Sequence, residues 1–273
     1  MSGITVGFSM HPRWVGNGGL VGFLEPLRQA GLSALEFELD ANDPDWAAFP
    51  PLMDACRDLG FQLTFHAPYR RGYSVAGFAG ADGQHVRAAY TPLLELAARL
   101  GPAPLVVHGP HSKVRPYAAL RDDTVAFLRW LLATFAALDP TLELLEPAPP
   151  AAKVGISRAE LLQILHEAGN GRLGICWDIG HEIKGGQDAP PDPAWLGRVR
   201  HVHIHDLNAQ GVDHYPFIFG RVDPALWLSP LVRTGYRGAV VLEIKGEQLG
   251  HLSPDRLLPT LASSVRAIAA AVE

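Results

Sequence analysis

The chain alternates short apolar runs with longer amphipathic segments, and this repeat constrains its fold more than any other feature. Eight runs have the apolar, β-branched composition of buried strands, and segments with helical periodicity lie between them. The predicted strands cover residues 4–8, 34–39, 62–66, 104–108, 142–146, 173–178, 199–205 and 239–244. Alternating strands and helices in this number predict a closed parallel (β/α)8 TIM barrel. We expect residues 1–273 to form a single domain.

Two of the intervening segments carry clear helix boundaries. The segment 85–101 places apolar residues on one face and stops at Gly101, as glycine commonly ends helices. Ser157 is followed three residues later by Glu160, which is the capping-box pattern at a helix start. A doubly wound open sheet is the alternative fold, but no glycine fingerprint for a dinucleotide follows the first strand.

Composition narrows the class of protein. Hydrophobic residues make up 48% of the 273, which is enough for a large core. The net charge of −5 gives no general attraction to a phosphate backbone and weakly disfavours nucleic acid, although a local basic patch could still bind it. We expect a small molecule as the partner, with nucleic acid as the alternative. The start of the chain lacks a signal-peptide pattern, and we expect a cytoplasmic protein that does not enter a membrane. Cys56 and Cys176 have no metal-binding spacing and are expected to be buried free thiols.

Polar residues concentrate at the carboxyl ends of the predicted strands, which is the face that carries the active site in such barrels. They are His66, His108, Glu146, Asp178, His203, His205 and Glu243. One such residue alone could simply bind a loop backbone, but the coincidence across several strands argues for a shared site. Crowded carboxylates would repel each other, and a divalent cation removes that cost while binding Asp, Glu and neutral His. We therefore predict a metal site at the carboxyl ends of the strands.

Neighbouring residues extend the predicted pocket. His181 follows Asp178 by three residues and is expected in the pocket, with helix capping as the alternative. His201, His203 and His205 alternate along one strand and therefore share a face, although only one or two can reach a metal. Glu36 and two further acidic residues after the second strand are expected to make that rim of the pocket acidic.

Loop residues supply candidates for substrate binding. Tyr69, Arg70 and Arg71 follow the third strand and could stack on a base or bind a phosphate group, and Lys245 could complete an anionic pocket. Trp14 could stack on a sugar face or pack over the barrel mouth.

The sequence resembles the xylose isomerase-like TIM barrels, which include sugar isomerases and epimerases and the endonuclease IV type of abasic-site endonuclease. The resemblance spans nearly the whole chain. It is carried by the segments FHAPY, LVVHGPHS, LLEPA, CWDIGH, HVHIHD, DHYPFIFG and VLEI. Together these segments are specific for the superfamily, and they identify the fold and the metal pocket better than the reaction.

The epimerase branch implies one divalent ion, such as Mn, Co or Mg, and a sugar or sugar-phosphate substrate. The matching ligands are Glu146, Asp178, His203 and Glu243. By this resemblance Glu146 and Glu243 would also move the proton as general base and acid, through an enediolate that the metal stabilises, while His181 contacts the substrate.

The nuclease branch implies up to three Zn ions and an abasic-site DNA substrate. One site matches His66 and His108 with Glu146, a second the four ligands above, and a third His181 with Asp213 and His214. The adjacency of Asp213 and His214 departs from the nuclease pattern, which separates the two by one residue. These residues could instead contact the substrate, and the choice between the two reactions stays open.

Overall fold

The computed structural model describes residues 3–15, 19–69, 72–146, 151–169, 171–250 and 252–273, and of Pro254 only the backbone. Eight strands are hydrogen-bonded in a closed barrel in the order β1-β10-β9-β8-β6-β4-β3-β2. The described pairings within the barrel are parallel. The predicted (β/α)8 barrel is therefore confirmed. In the described part of the chain, no helix is long and apolar enough to cross a membrane.

The elements follow one another in the predicted alternation. The barrel strands are β1 (Thr5–Ser9), β2 (Leu32–Glu38), β3 (Gln62–His66), β4 (Ala103–Val107), β6 (Leu138–Glu143), β8 (Gly174–Asp178), β9 (Val199–Ile204) and β10 (Ala239–Leu242). Two short strands, β5 (His111–Ser112) and β7 (Ala152–Lys153), form a separate antiparallel pair. The helices are α1 (Gly19–Gln29), α2 (Phe49–Asp58), α3 (Gly83–Arg99), α4 (Tyr117–Thr134), α5 (Arg158–Ala168), α6 (Ile179–Lys184), α7 (Pro193–Leu196), α8 (Pro224–Arg233), α9 (Gly246–Leu249) and α10 (Pro254–Val272).

The contacts divide the chain into two compact units. The first comprises residues 1–37, 51–63 and 177–273, and the second residues 38–50 and 64–176. The boundaries fall inside β2, α2, β3 and β8. That the whole chain forms one domain stays a prediction.

The first unit is organised around β1, β10 and β9. Phe8 of β1 pairs with Leu242 of β10, which in turn pairs with Ile204 of β9, and all three side chains are buried. Outside these strands, α10 packs against α8 and α1. Burial of such apolar side chains is the main stabilising contribution, at about 25 cal/mol for each Å² removed from water.

The second unit is built on β3, β4 and β6. Its strands run in parallel register, with Phe65 beside Leu105 and Val107 beside Leu142. The loop between β3 and α3 is held by buried polar contacts. Tyr90 donates its hydroxyl to the carbonyls of Pro68 and Tyr73, at 2.5 and 2.7 Å. These two bonds fix the positions of the Pro68 and Tyr73 carbonyls relative to α3.

Seven of the eight predicted strands agree with the structure within two residues, and the fifth was placed wrongly. It was predicted over residues 142–146, whereas β6 spans Leu138–Glu143. The strand starts earlier because its pairing with β4 runs through Asp139 and Pro140, two residue types that locally argue against a strand. Here tertiary pairing outweighs local preference.

Both predicted helix boundaries are confirmed. The side chain of Ser157 accepts a hydrogen bond from the Glu160 N–H at 3.2 Å and so caps α5. Helix α3 ends at Arg99, and Gly101 then takes a φ of +119°, which a residue with a side chain rarely adopts. These two boundaries depend on neighbouring residues only, which explains why the sequence revealed them.

Candidate metal centre

Asp178 ends β8 and holds the start of the next helix. Its Oδ1 accepts the His181 N–H at 2.7 Å, which caps α6. Its Oδ2 is buried and makes no hydrogen bond within the described residues, although His181 Nδ1 lies 3.2 Å away and His203 Nδ1 4.0 Å away. One oxygen is therefore committed to the helix and the other faces ring nitrogens without a hydrogen bond. The side chain of Asp178, and not that of His181, makes the helix cap, and a role of His181 in the pocket stays a prediction.

Glu243 follows β10 directly and presents its carboxylate to two imidazoles. Its Oε2 lies 3.3 Å from His214 Nε2 and 3.4 Å from His203 Nδ1, and it too makes no hydrogen bond there within the described part of the chain. Burial alone would raise the pKa of Glu243, but the two imidazoles lower it well below its usual value. The group is therefore a carboxylate at neutral pH.

These atoms converge in the way that metal ligands do. The ligand atoms of Asp178, His203 and Glu243 lie within 4.8 Å of one another. A buried carboxylate oxygen without a hydrogen bond is costly, and a bound cation would remove that cost. Carboxylates with one imidazole suit Mn²⁺, Mg²⁺ or Co²⁺, so the residues fit a divalent ion.

Glu36 was expected on an acidic rim, and the structure corrects this. Its side chain is buried in the first unit, with Oε1 2.8 Å from His203 Nε2 and Oε2 2.7 Å from His201 Nε2. Burial would raise the pKa of Glu36, but the two histidines lower it below its usual value. The sequence signal was available, because Glu36 alternates with apolar neighbours inside β2.

His205 contacts the other side of Asp178. Its Nδ1 accepts the His214 N–H at 3.0 Å, its ring stacks on that of His214 with centroids 4.2 Å apart, and its Nε2 lies 3.2 Å from Asp178 Oδ1. Burial lowers the pKa of His205 and so keeps the ring neutral. The negative charge of Asp178 raises this pKa, but by less than burial lowers it. Since Nδ1 accepts a hydrogen bond, the proton of the neutral ring resides on Nε2, facing Asp178.

Asp213 and His214 lie beside Glu243 but have several protein partners. Asp213 accepts a hydrogen bond from Lys184 Nζ at 2.7 Å, and its Oδ1 lies 3.0 Å from His214 Nδ1. His214 Nδ1 also lies 3.2 Å from Lys245 Nζ. His214 adopts a φ of +62°, which strains a residue with a side chain and is common at functional sites.

The second unit contains a group of possible metal-ligand donors, formed by His66, His108 and Glu143. His66 Nδ1 donates to the Ala67 carbonyl at 2.9 Å, because a carbonyl can only accept. In a neutral ring, Nε2 then carries a lone pair, and it faces Glu143 Oε2 at 3.3 Å and His108 Nε2 at 3.2 Å. Glu143 Oε2 also lies 2.5 Å from His108 Nε2. A proton or a cation between these atoms would reconcile them.

Glu143, and not Glu146, is therefore the glutamate at the end of the fifth barrel strand. Glu146 lies three residues beyond the strand end, with its carboxylate 3.4 Å from Lys153 Nζ. Because side chains alternate along a strand, two residues three positions apart face opposite sides. The sequence signal for Glu143 was its place two positions after Thr141, a spacing that puts both residues on one face of a strand.

The loop candidates are placed only in part. Tyr69 stacks on the His108 ring with centroids 3.8 Å apart, so it belongs to the donor group of the second unit. Arg70 and Arg71 lie outside the described residues. Trp14 lies near Phe8, with ring centroids 6.1 Å apart, and stacking of Trp14 on a sugar stays a prediction.

Comparison with solved structures supports the fold. D-psicose 3-epimerase from Clostridium cellulolyticum H10, solved with D-tagatose, matches with a TM-score of 0.75 and 12% identity over 98% of this chain and 99% of that one. An L-ribulose 3-epimerase matches with a TM-score of 0.68 and 16% identity over 99% and 93%. D-allulose 3-epimerase from Methylomonas sp., in complex with D-allulose, gives 0.67 and 18% over 97% and 95%. At such identities the likeness concerns the fold alone.

Sequence comparison identifies the family. No curated protein matches the chain. Residues 24–268 match the family model described as "Xylose isomerase-like TIM barrel", which covers most of the chain. The chain therefore belongs to the xylose isomerase-like TIM barrel family.

Proposed function

We propose that this protein is a divalent-metal-dependent sugar epimerase or isomerase that moves a proton on a carbon next to a carbonyl group. The observation that carries the proposal is the convergence on His203 Nδ1 of two carboxylate oxygens, Asp178 Oδ2 at 4.0 Å and Glu243 Oε2 at 3.4 Å. Neither oxygen makes a hydrogen bond within the described residues. The proposal is also supported by the fold, which this chain shares with solved structures named as sugar 3-epimerases.

Asp178, His203 and Glu243 would hold the ion. Glu143 takes the role that the family resemblance had implied for Glu146, because it is the glutamate at the end of its strand. Bound there, a divalent cation would polarise a carbonyl oxygen and stabilise the negative charge that develops when a neighbouring C–H proton leaves.

The proton transfer itself belongs to carboxylates of the chain. Glu243 is ionised at neutral pH, so it can accept a proton from a sugar carbon as a general base. By the family resemblance, Glu143 in its protonated form would act as the general acid and donate a proton to that carbon, and exchange with water would afterwards return both carboxyl groups to their starting states. His181 and His214 are buried beside Asp178 and Glu243, respectively, and would bind sugar hydroxyl groups.

The charged groups near Glu243 are relevant to the class of substrate. Lys245 and His214 are adjacent there, while Lys184 is paired with Asp213. These groups would bind the hydroxyls of a free sugar. The positive charge of Lys245 would bind a phosphate substituent, if the sugar carries one. We propose a free sugar or sugar phosphate as the small-molecule partner.

A second candidate function is zinc-dependent hydrolysis of abasic-site DNA. It is favoured by one observation, the donor group of His66, His108 and Glu143, whose ligand atoms lie within 4.8 Å of one another. Against it, Asp213 already has Lys184 as a partner at 2.7 Å, which reduces its availability as a zinc ligand.

The test is to purify the protein without chelators, measure bound metal, and assay D-tagatose, D-allulose and D-fructose in ²H₂O. We expect about one ion per chain, and deuterium incorporation beside the carbonyl that Glu243→Gln reduces by roughly 10²- to 10⁴-fold. The matched control is Glu247→Gln, because Glu247 is exposed on α9.

Full deuterium exchange in Glu243→Gln would defeat the proposed mechanism. Two or three zinc ions per chain together with cleavage of an abasic duplex would favour the hydrolase instead. No metal after reconstitution with Mn²⁺, Co²⁺ or Zn²⁺ would defeat both.

A further inference from the structure

We propose that Glu36 is a positioning residue, which holds His203 with its Nε2 protonated and its Nδ1 lone pair turned toward the metal ligands. The inference rests on the proposed metal-dependent function, and it assigns to β2 a role that the ligand residues alone do not explain.

The geometry assigns one carboxylate oxygen to each imidazole. Glu36 Oε1 lies 2.8 Å from His203 Nε2, and Oε2 lies 2.7 Å from His201 Nε2. All three side chains are buried, and the two rings stand at 80° to each other. Glu36 Oε2 accepts a hydrogen bond from His201 Nε2, so that nitrogen carries a proton. At His203, a lone pair on Nε2 would be repelled by a carboxylate oxygen 2.8 Å away, so we assign a proton to this nitrogen as well.

The consequence appears on the opposite edge of the His203 ring. A neutral imidazole protonated at Nε2 has its lone pair at Nδ1, which lies 3.4 Å from Glu243 Oε2. Lone pairs of both groups then point toward the same space. Carboxylates that orient a ligating histidine through its other nitrogen raise metal affinity, and their loss costs about 10- to 100-fold.

His201 adds a second imidazole that Glu36 must contact, so fewer substitutions of Glu36 can keep both contacts. Because Glu36 serves two rings, an amide in its place has one acceptor oxygen and must present its NH₂ group to one of them. Glu36→Gln therefore either turns a proton of His203 toward the ion or loses the negative charge while keeping the tautomer. Both outcomes weaken the ligand.

The experiment uses Mn²⁺ as the probe and measures free Mn²⁺ by electron paramagnetic resonance during titration of the folded protein. We expect Glu36→Gln to bind Mn²⁺ about 10- to 100-fold more weakly than wild type. Glu36→Asp keeps both acceptors but withdraws them by one methylene, so its loss should be smaller. Glu38→Gln is the matched control, since Glu38 lies on the same strand with an exposed side chain, and its affinity should equal that of wild type.

A second readout does not depend on metal. Long-range ¹⁵N–¹H correlation spectra of the metal-free wild type should show His203 as the neutral Nε2–H form, with a changed pattern in Glu36→Gln. A wild-type His203 protonated at Nδ1 overturns the inference, even if Glu36→Gln fails to fold.

The two proposals fail differently. Wild type that binds Mn²⁺ together with Glu36→Gln of equal affinity defeats the role of Glu36 and leaves the metal site intact. Wild type that binds no Mn²⁺, Co²⁺ or Zn²⁺ defeats the proposed function, and the role of Glu36 toward a metal falls with it.

Discussion

The ends of β9 and β6 differ in how clearly their sequence patterns predict which residues face inward. Along β9 and the residue that follows it, three histidines alternate with valine and isoleucine, and the strand was predicted within one residue. In β6, the run Leu-Glu-Leu-Leu-Glu breaks the alternation, and the predicted strand end was three residues too late. The sequence predicts which face of a strand a polar residue lies on when its neighbours alternate with a period of two. Two glutamates three positions apart would lie on opposite faces, and the sequence does not show which of them faces inward.

The sharpest test of this difference is to exchange each glutamate of the β6 region. Glu143→Gln should lower kcat/KM of the epimerase reaction by roughly 10²- to 10⁴-fold, because it removes a proposed acid–base group. Glu146→Gln should stay close to wild type, since its carboxylate lies beside Lys153. Steady-state kinetics on the sugar that reacts best gives both numbers. The reverse ranking would restore the original assignment of Glu146.

The end of β9 has a structural anchor that can be broken. Asp206 is fully buried and accepts backbone N–H groups of Leu207, Phe219, Gly220, Arg221 and Val222. Asp206→Asn turns one acceptor into a donor facing those N–H groups, and we expect the free energy of unfolding to fall by about 1–3 kcal/mol. Urea denaturation measures it.

Asp223→Asn is the matched control, because Asp223 caps α8 with one exposed hydrogen bond and asparagine caps helices equally well. Equal stability of the two variants would mean that Asp206 does not anchor the loop that carries Asp213 and His214.

Gly180 tests how tightly His205 is held beside Asp178. A Cβ at this position would lie 2.0 Å from His205 Cε1, so Gly180→Ala must displace that ring. We expect a loss of stability of about 1–3 kcal/mol from overpacking. A weaker affinity for Mn²⁺ should accompany it, because the ring lies against Asp178.

Gly22→Ala provides the comparison in a helix. Gly22 lies within α1, and a Cβ there would contact nothing within 4 Å. Alanine should stabilise the protein by roughly 0.5–1 kcal/mol, since glycine loses more backbone entropy on folding. Stabilisation in both variants would show that His205 moves without cost.

The smallest effect is expected at the two cysteines. Cys56 and Cys176 are fully buried and form no disulfide, and burial raises the pKa of Cys56 to about 12. At pH 8 neither thiol should react with Ellman's reagent in the folded protein, whereas both should react in urea. Rapid labelling of Cys176 in the native state would mean that β8, which pairs with Glu143 of β6 at this residue, opens readily.

The sequence by itself determined the features that depend on local patterns. Strand and helix alternation predicted the (β/α)8 barrel, the capping residues placed α5, and the polar ends of the strands indicated where Asp178, His203 and Glu243 would lie. These signals come from periodicity and from neighbours along the chain, which a single sequence displays.

Only the tertiary structure decided the assignments that depend on strand pairing. It places Glu143, and not Glu146, at the strand end, because the register of β6 with β4 fixes where the strand ends. It also brought Glu36 of β2 against His201 and His203 of β9, although 165 positions separate Glu36 from His201 in the chain. Contacts between distant strands carry no local signature, since they follow from register and burial and not from neighbouring residues.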